Sequence, residues 1–341
     1  MPKCKVVRVC LLVGLLAVVS GRAWAQTIES VGARAQGMAG AFVAVADDAT
    51  ASWWNPAGLA SGQYLSMVTE RGRMTEPASP TADARALRTT SSTFAIAFPA
   101  LGLSYYRMRI SATVPVGSTG TDGANRQDQQ IAGTSVRSVA ISQFGTTIGQ
   151  SIGDHLVIGS TLKLLRAGVA SGESTDGAPL DAADALTVPH GTRGDLDVGA
   201  MASLGHLRLG LVVKNLTKPS FDSGGGNLVT LTRQARAGLA ISTLRGAVQK
   251  GLTVAADADM TTTSTVVGDV RHVSAGFERW MARSKVALRA GASANTIGER
   301  RPAGSVGISV ALTRALSVNA SRVAGRDKSV TGWSTGVHVA F

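Results

Sequence analysis

From Thr331 to the last residue the chain alternates with a period of two. Thr331, Trp333, Thr335, Val337, Val339 and Phe341 fall on one face of an extended strand, with Gly332, Ser334, Gly336, His338 and Ala340 on the other. The pattern recurs upstream. Leu316, Val318 and Ala320 alternate with Ser317, Asn319 and Ser321; Val306, Ile308, Val310 and Leu312 alternate with small residues; Val286, Leu288 and Ala290 alternate with Lys285, Arg289 and Gly291. Further amphipathic segments centre on Phe277, Val254, Leu239, Leu209 and Val198. Five less regular ones lie at 63–73, 90–99, 101–112, 134–148 and 153–168. The total is about 14, an even number, as bacterial barrels require.

The connections supply a second pattern. Segments 74–89, 113–133, 169–191 and 216–229 are long and rich in Gly, Ser, Thr, Asp and Pro, whereas 99–100, 149–152, Gly205, 244–249, 281–283 and 313–314 are short. Long and short alternate, as they do between the two rims of an outer-membrane barrel. The contrast fades after residue 260, which predicts a barrel of uneven height. A soluble β-sandwich would also alternate apolar and polar residues, but nothing in it would alternate loop length. The expected fold is therefore all-β: a transmembrane antiparallel barrel with residues 63–341 as its wall and both chain ends at the short-turn rim.

Two segments lie outside the strand pattern. Residues 1–25 combine basic Lys3, Lys5 and Arg8, an apolar run over 9–20 and the cleavage-like Ala23-Trp24-Ala25, the layout of an export signal. Both cysteines, Cys4 and Cys10, fall within it, so no disulfide or thiolate chemistry is expected of the remainder. Residues 26–62 contain GARAQGMAGAFVAVADDATASWWNPAGLA, too irregular for a strand and too rich in glycine for a good helix. This stretch is expected to plug the lumen, with Gly37, Gly40, Asp47, Asp48, Asn55 and Pro56 as gate residues. Asp47 and Asp48 either anchor the plug to a lumen Arg or Lys, or cap a short helix near residue 49.

Composition fits export to a membrane. The 341 residues are 44% hydrophobic with 40 glycines, and the mean hydropathy is +0.16. The formal charge of +12 falls to +8 (12 − 4) on loss of Lys3, Lys5, Arg8 and Arg22. The remaining cations are scattered singly, so no nucleic-acid partner is expected. Strand parity turns Asp195, Asp197, Lys214, Arg236, Asp257, Asp259, Glu278 and Arg289 inward, together with Lys163, Arg208 and Lys285. Such charges either pair and fill a barrel or line a wet channel. The five histidines are isolated, no nucleophile elbow or P-loop occurs, and Asp257 and Asp259 lack the rest of a calcium loop. No enzyme activity, metal or cofactor is expected.

Residues 32–60, ending in Asn55-Pro56-Ala57, resemble the N-terminal signature of the FadL-like outer-membrane barrels, in particular the PorV/PorQ-type branch. Residues 195–221 resemble a mid-barrel hairpin of that branch. Trp333, Val337, Val339 and Phe341 resemble the C-terminal signal read by the barrel-insertion machinery. The resemblance implies a 14-stranded barrel in outer-membrane lipid with an N-terminal hatch. It further implies passive passage of small hydrophobic solutes or, in the PorV branch, partnership with components of the type IX secretion system; a sealed structural barrel is the remaining possibility.

Overall fold

The computed structural model describes residues 31–77, 86–115, 134–175, 177–222, 228–243, 251–265, 268–282, 284–326 and 330–341. The expected export signal lies outside the described residues. Fourteen strands close into an antiparallel barrel: β1 (Ser66–Pro77), β2 (Ala86–Phe98), β3 (Leu101–Pro115), β4 (Thr134–Ile152), β5 (Leu156–Ser174), β6 (Gly191–Leu204), β7 (Leu207–Lys214), β10 (Gln234–Ser242), β11 (Leu252–Asp259), β14 (His272–Met281), β15 (Val286–Asn295), β16 (Ala303–Ala311), β17 (Leu316–Gly325) and β18 (Thr331–Ala340). Two small hairpins, β8–β9 (Ser220–Asp222, Leu228–Thr230) and β12–β13 (Thr263–Thr265, Gly268–Val270), stand in long connections and were not anticipated.

Closure pairs the first strand with the last, from Ser66 opposite Ala340 to Thr75 opposite Thr331. The Phe341 N–H then donates to the Leu65 carbonyl at 2.9 Å, so both ends of the sheet meet at the short-turn rim. A closed ladder leaves no sheet edge to hydrogen-bond, the condition for strands in hydrocarbon. The outer face is correspondingly apolar: Leu162, Leu211, Ile241, Val306 and Trp333 are all exposed.

The uneven height is present. β4 and β5 have 19 residues each, against 8 to 10 in β7 and the later barrel strands. Crossing a bilayer takes about 9–11 residues, so β4 and β5 continue well beyond the apolar belt. Their ladder is a backbone property and does not stop where side chains turn polar. Hence the expected connection 74–89 shrinks to 78–85, and 169–191 yields residues 169–174 to β5. The rest of that connection forms α3 (Pro179–Ala185). This helix lies against the outside of the wall, where Arg88 of β2 pairs with Asp181 at 2.6 Å and Asp184 at 2.9 Å.

Residues 31–62 fill the lumen. They form α1 (Ala33–Gly37), α2 (Ala51–Trp54) and a 3-10 turn (Pro56–Ser61) joined by tight loops. Met38, Phe42, Val43, Ala44, Val45, Trp54 and Asn55 have no exposed surface. The wall accommodates this segment by presenting glycines: a Cβ at Gly276 or Gly291 would run into Met38, one at Gly159 into the Pro56–Ala57 peptide, and one at Gly199 into the Asn55 amide.

Candidate functional site

The hatch is tied to the wall by a buried charged node centred on Arg34. In α1, Arg34 presents its guanidinium edge to the Glu278 carboxylate of β14, with Nε to Oε2 and Nη2 to Oε1 both at 2.8 Å. Its Nη1 donates to Asp47 at 2.5 Å and to Asp48 at 3.1 Å. Glu278 also accepts from Arg289 Nε at 2.6 Å, and Arg289 reaches Ser309 at 2.6 Å. Two cations thus face three carboxylates. Burial pushes the Asp48 carboxyl up, but the neighbouring Arg34 and the bonds from Thr50 outweigh it and hold the group below its ordinary value. The same arrangement raises Arg34: burial opposes the charge, while Asp47 and Glu278 favour it.

The partner of the aspartate pair is therefore an arginine of the hatch itself and not a lumen cation of the wall, as one of the two alternatives had it. The physical reason is reach. The turn at Gly40, whose φ of +83° suits glycine, folds α1 back toward residues 47–48. Asp48 also accepts the Thr50 N–H at 2.9 Å, which fixes the turn ahead of α2; the cap position itself is Thr50 and has no side-chain cap bond. Arg34 is the functional residue missed in the sequence, although it is the only cation in 31–62 and the two aspartates are the only anions.

Other wall groups grip the hatch backbone. Asp257 accepts the N–H groups of Phe42 and Val43 at 2.8 Å each, and Glu70 accepts that of Ala33 at 3.0 Å. The Asn55 amide donates to the Val43 and Ala200 carbonyls at 3.0 and 3.1 Å and accepts the Ala57 N–H, starting the turn at Pro56. Gly37 lies against Gly307 and Arg289. Each of the six expected gate residues thus sits in the lumen segment, with Gly40 and Pro56 setting turns and the others touching wall or node.

The expected lumen charges other than Lys285 face inward, and most of them pair. Lys163 bridges Asp195 at 2.7 Å and Asp197 at 2.6 Å; Arg236 pairs with the half-buried Asp259 at 2.6 Å. Lys214 places its ammonium 3.3 Å from the Trp53 ring centroid, and Arg208 donates to Ser61 at 2.8 Å. Of the two alternatives for these charges, pairing and filling holds among the described residues. Lys285 departs from expectation: it sits exposed in the turn before β15, beyond the last paired residue. Trp333 and Phe341 face outward and are exposed, with Val337 and Val339 in the same register.

Above the hatch, toward the long-loop rim, the inner wall is apolar. Met108 and Ile110 of β3, Val139 and Ile141 of β4, and Leu165 and Ala167 of β5 are buried there, and Phe221, Val229 and Leu231 around β8–β9 join the same cluster. This explains why these strands alternate poorly. Tyr105-Tyr106 and Leu164-Leu165 put apolar groups on both faces, and that doubling was the available signal.

The family model described as "F plasmid transfer operon, TraF, protein" matches residues 74–259, more than half of the chain. The chain belongs to this TraF family. Among solved structures, the TraF-family chain is similar to the CymD monoaromatic hydrocarbon channel (TM-score 0.62, 14% identity), covering 93% of this chain and 99% of that one. It is similar to the Ralstonia pickettii toluene transporter TbuX (0.62, 13% identity, 92% and 99%) and to a Pseudomonas aeruginosa FadL homologue (0.60, 10% identity, 94% and 99%). At these identities the likeness establishes the fold, that of the FadL-like barrels. The PorV/PorQ-type branch is not among what these matches show. A comparison with curated proteins returns no match.

Proposed function

We propose that this TraF-family chain is a non-enzymatic outer-membrane barrel that lets small apolar molecules pass down their gradient once the hatch yields. The observation that carries the reading is the layering of the lumen. A buried apolar layer lies toward the long-loop rim, and directly beneath it sits a hatch held to the wall through the buried Arg34–Glu278 node. An apolar solute reaching this layer meets side chains it can wet, and its passage is stopped by a short segment rather than by the wall. The shared fold with barrels named as a monoaromatic hydrocarbon channel and a toluene transporter supports the same reading.

The test is uptake of radiolabelled toluene, at low concentration, by cells whose outer membrane carries the barrel. Uptake faster than in cells without it is expected, and Ala167→Trp, which fills the apolar layer, should abolish the gain. If neither the intact barrel nor a form lacking residues 26–60 accelerates uptake, the reading fails. The family description favours a second reading, in which the barrel is a component of a plasmid-transfer apparatus with its lumen permanently filled. That reading predicts no uptake by the intact form and co-purification with other envelope components.

A further inference from the structure

On the outer face, one hydrogen-bonded row runs from β1 to β5 through Arg71, Ser92, Arg107, Ser142 and Arg166. Neighbouring strands lie about 4.8 Å apart, so successive arginines, on alternate strands, stand roughly 10 Å apart, and Arg71 and Arg166 roughly 20 Å. All three are exposed, and none forms an ion pair among the described residues. Asp181 and Asp184, which stand nearby on α3, are already engaged by Arg88. Arg109, one step further from the apolar belt, is held by the Leu186 carbonyl at 3.3 Å. His190 follows on the same segment, and its pKa is lowered by partial burial and by Arg166, Arg107 and Arg109. The cations therefore share one field, and no carboxylate lies in their row.

The row next to them, one step toward the short-turn rim, is Phe94, Tyr105, Phe144 and Leu164, each 45–56% exposed. A cationic row without counter-charge among the described residues, directly above an aromatic and aliphatic row, matches a ligand that is anionic at one end and hydrocarbon at the other. Guanidinium groups at this spacing suit phosphate oxygens, which they bind bidentately. A free anion would leave the apolar row unused.

We infer that Arg71, Arg107 and Arg166 bind the phosphorylated headgroup of an acylated lipid in the leaflet at the long-loop rim. This rests on the membrane-barrel reading above. The test uses the detergent-purified barrel and native mass spectrometry with lipid A, dephosphorylated lipid A and inorganic phosphate. Arg71→Gln, Arg107→Gln and Arg166→Gln together should weaken lipid A retention roughly a hundredfold, and Arg107→Gln alone about fivefold. Unchanged retention in correctly migrating variants, or equal binding of the dephosphorylated lipid, would overturn the inference. So would displacement of lipid A by millimolar inorganic phosphate, which would make the row a plain anion site. Flotation with uncharged phosphatidylcholine vesicles separates the two readings. Failure of the wild-type protein to insert sinks the membrane barrel, whereas insertion with arginine-independent lipid binding sinks only the headgroup site.

Discussion

Replacing Arg34 by Met tests whether the hatch is held by charge. The substitution keeps the aliphatic stem and removes a guanidinium whose side chain is 8% exposed and which donates to Glu278, Asp47 and Asp48. Removing one partner of a buried pair costs about 3–5 kcal/mol, mainly through the charge left behind. The lower end applies here, because Glu278 retains Arg289 and Asp48 retains its bonds from Thr50. A loss of about 3 kcal/mol raises the population of undocked hatch roughly a hundredfold. The assay places a cysteine at Ala49, which is buried, and follows its reaction with a water-soluble maleimide. Labelling in Arg34→Met should be about a hundred times faster than in the parent, while the gel migration of the unheated barrel stays unchanged. Arg34→Lys should fall between, since one ammonium cannot span Glu278 and both aspartates. Wild-type labelling rates in Arg34→Met would refute the argument.

Other expectations follow from the same contacts. Asp48 has a folded-state pKa below its ordinary value, so its contribution to docking is complete above about pH 4 and is lost as pH falls through the folded value; labelling should accelerate only in acid. Gly199→Ala drives a methyl into the Asn55 amide and should also speed labelling, whereas Gly168→Ala, which meets the Pro189 carbonyl on the outside, should leave it unchanged. Lys163→Met strands Asp195 and Asp197, both buried, and should cost the barrel about 3–5 kcal/mol in denaturant unfolding. Deleting Phe341, which is 68% exposed at the end of the sheet, should lower the yield of folded barrel in the membrane fraction without altering the spectrum of what does fold.

The strand count and inward parity were legible because both follow from a period of two, and a closed barrel makes that period continuous from β1 to β18. Residues such as Glu278 and Arg289 could be assigned to the lumen from parity alone. What they touch could not, because Arg34 meets Glu278 across 244 positions of sequence. The apolar upper lumen was hidden for a different reason. A strand with apolar groups on both faces loses its alternation, so β3 to β5 looked like weak strands when they were doubly apolar ones. The hairpin β8–β9 is too short to show any period, and its inward Phe221 carried no local signal.

The placement of charge in the hatch bears on how it could move. Apolar packing holds a segment more firmly than ions do, because an ion pair must first recover the hydration both partners lose. Residues 41–46 already use apolar packing and are wholly buried. A segment serving only as filler could have continued that pattern through positions 34, 47 and 48. Instead the hatch concentrates its three charges at one point and meets the wall there through a single carboxylate, Glu278. The Lys163 pairs join adjacent wall strands and would survive any movement of the hatch; the Arg34 contact to Glu278 would not. Two kinds of attachment with different sensitivities are thereby separated in space. A perturbation that neutralises Glu278, such as Glu278→Gln, should loosen α1 before it disturbs the Asp257 grip on Phe42 and Val43. Opening would then begin at the α1 end and proceed toward Pro56, and maleimide labelling of single cysteines at Ala35 and Ala57 gives the order directly.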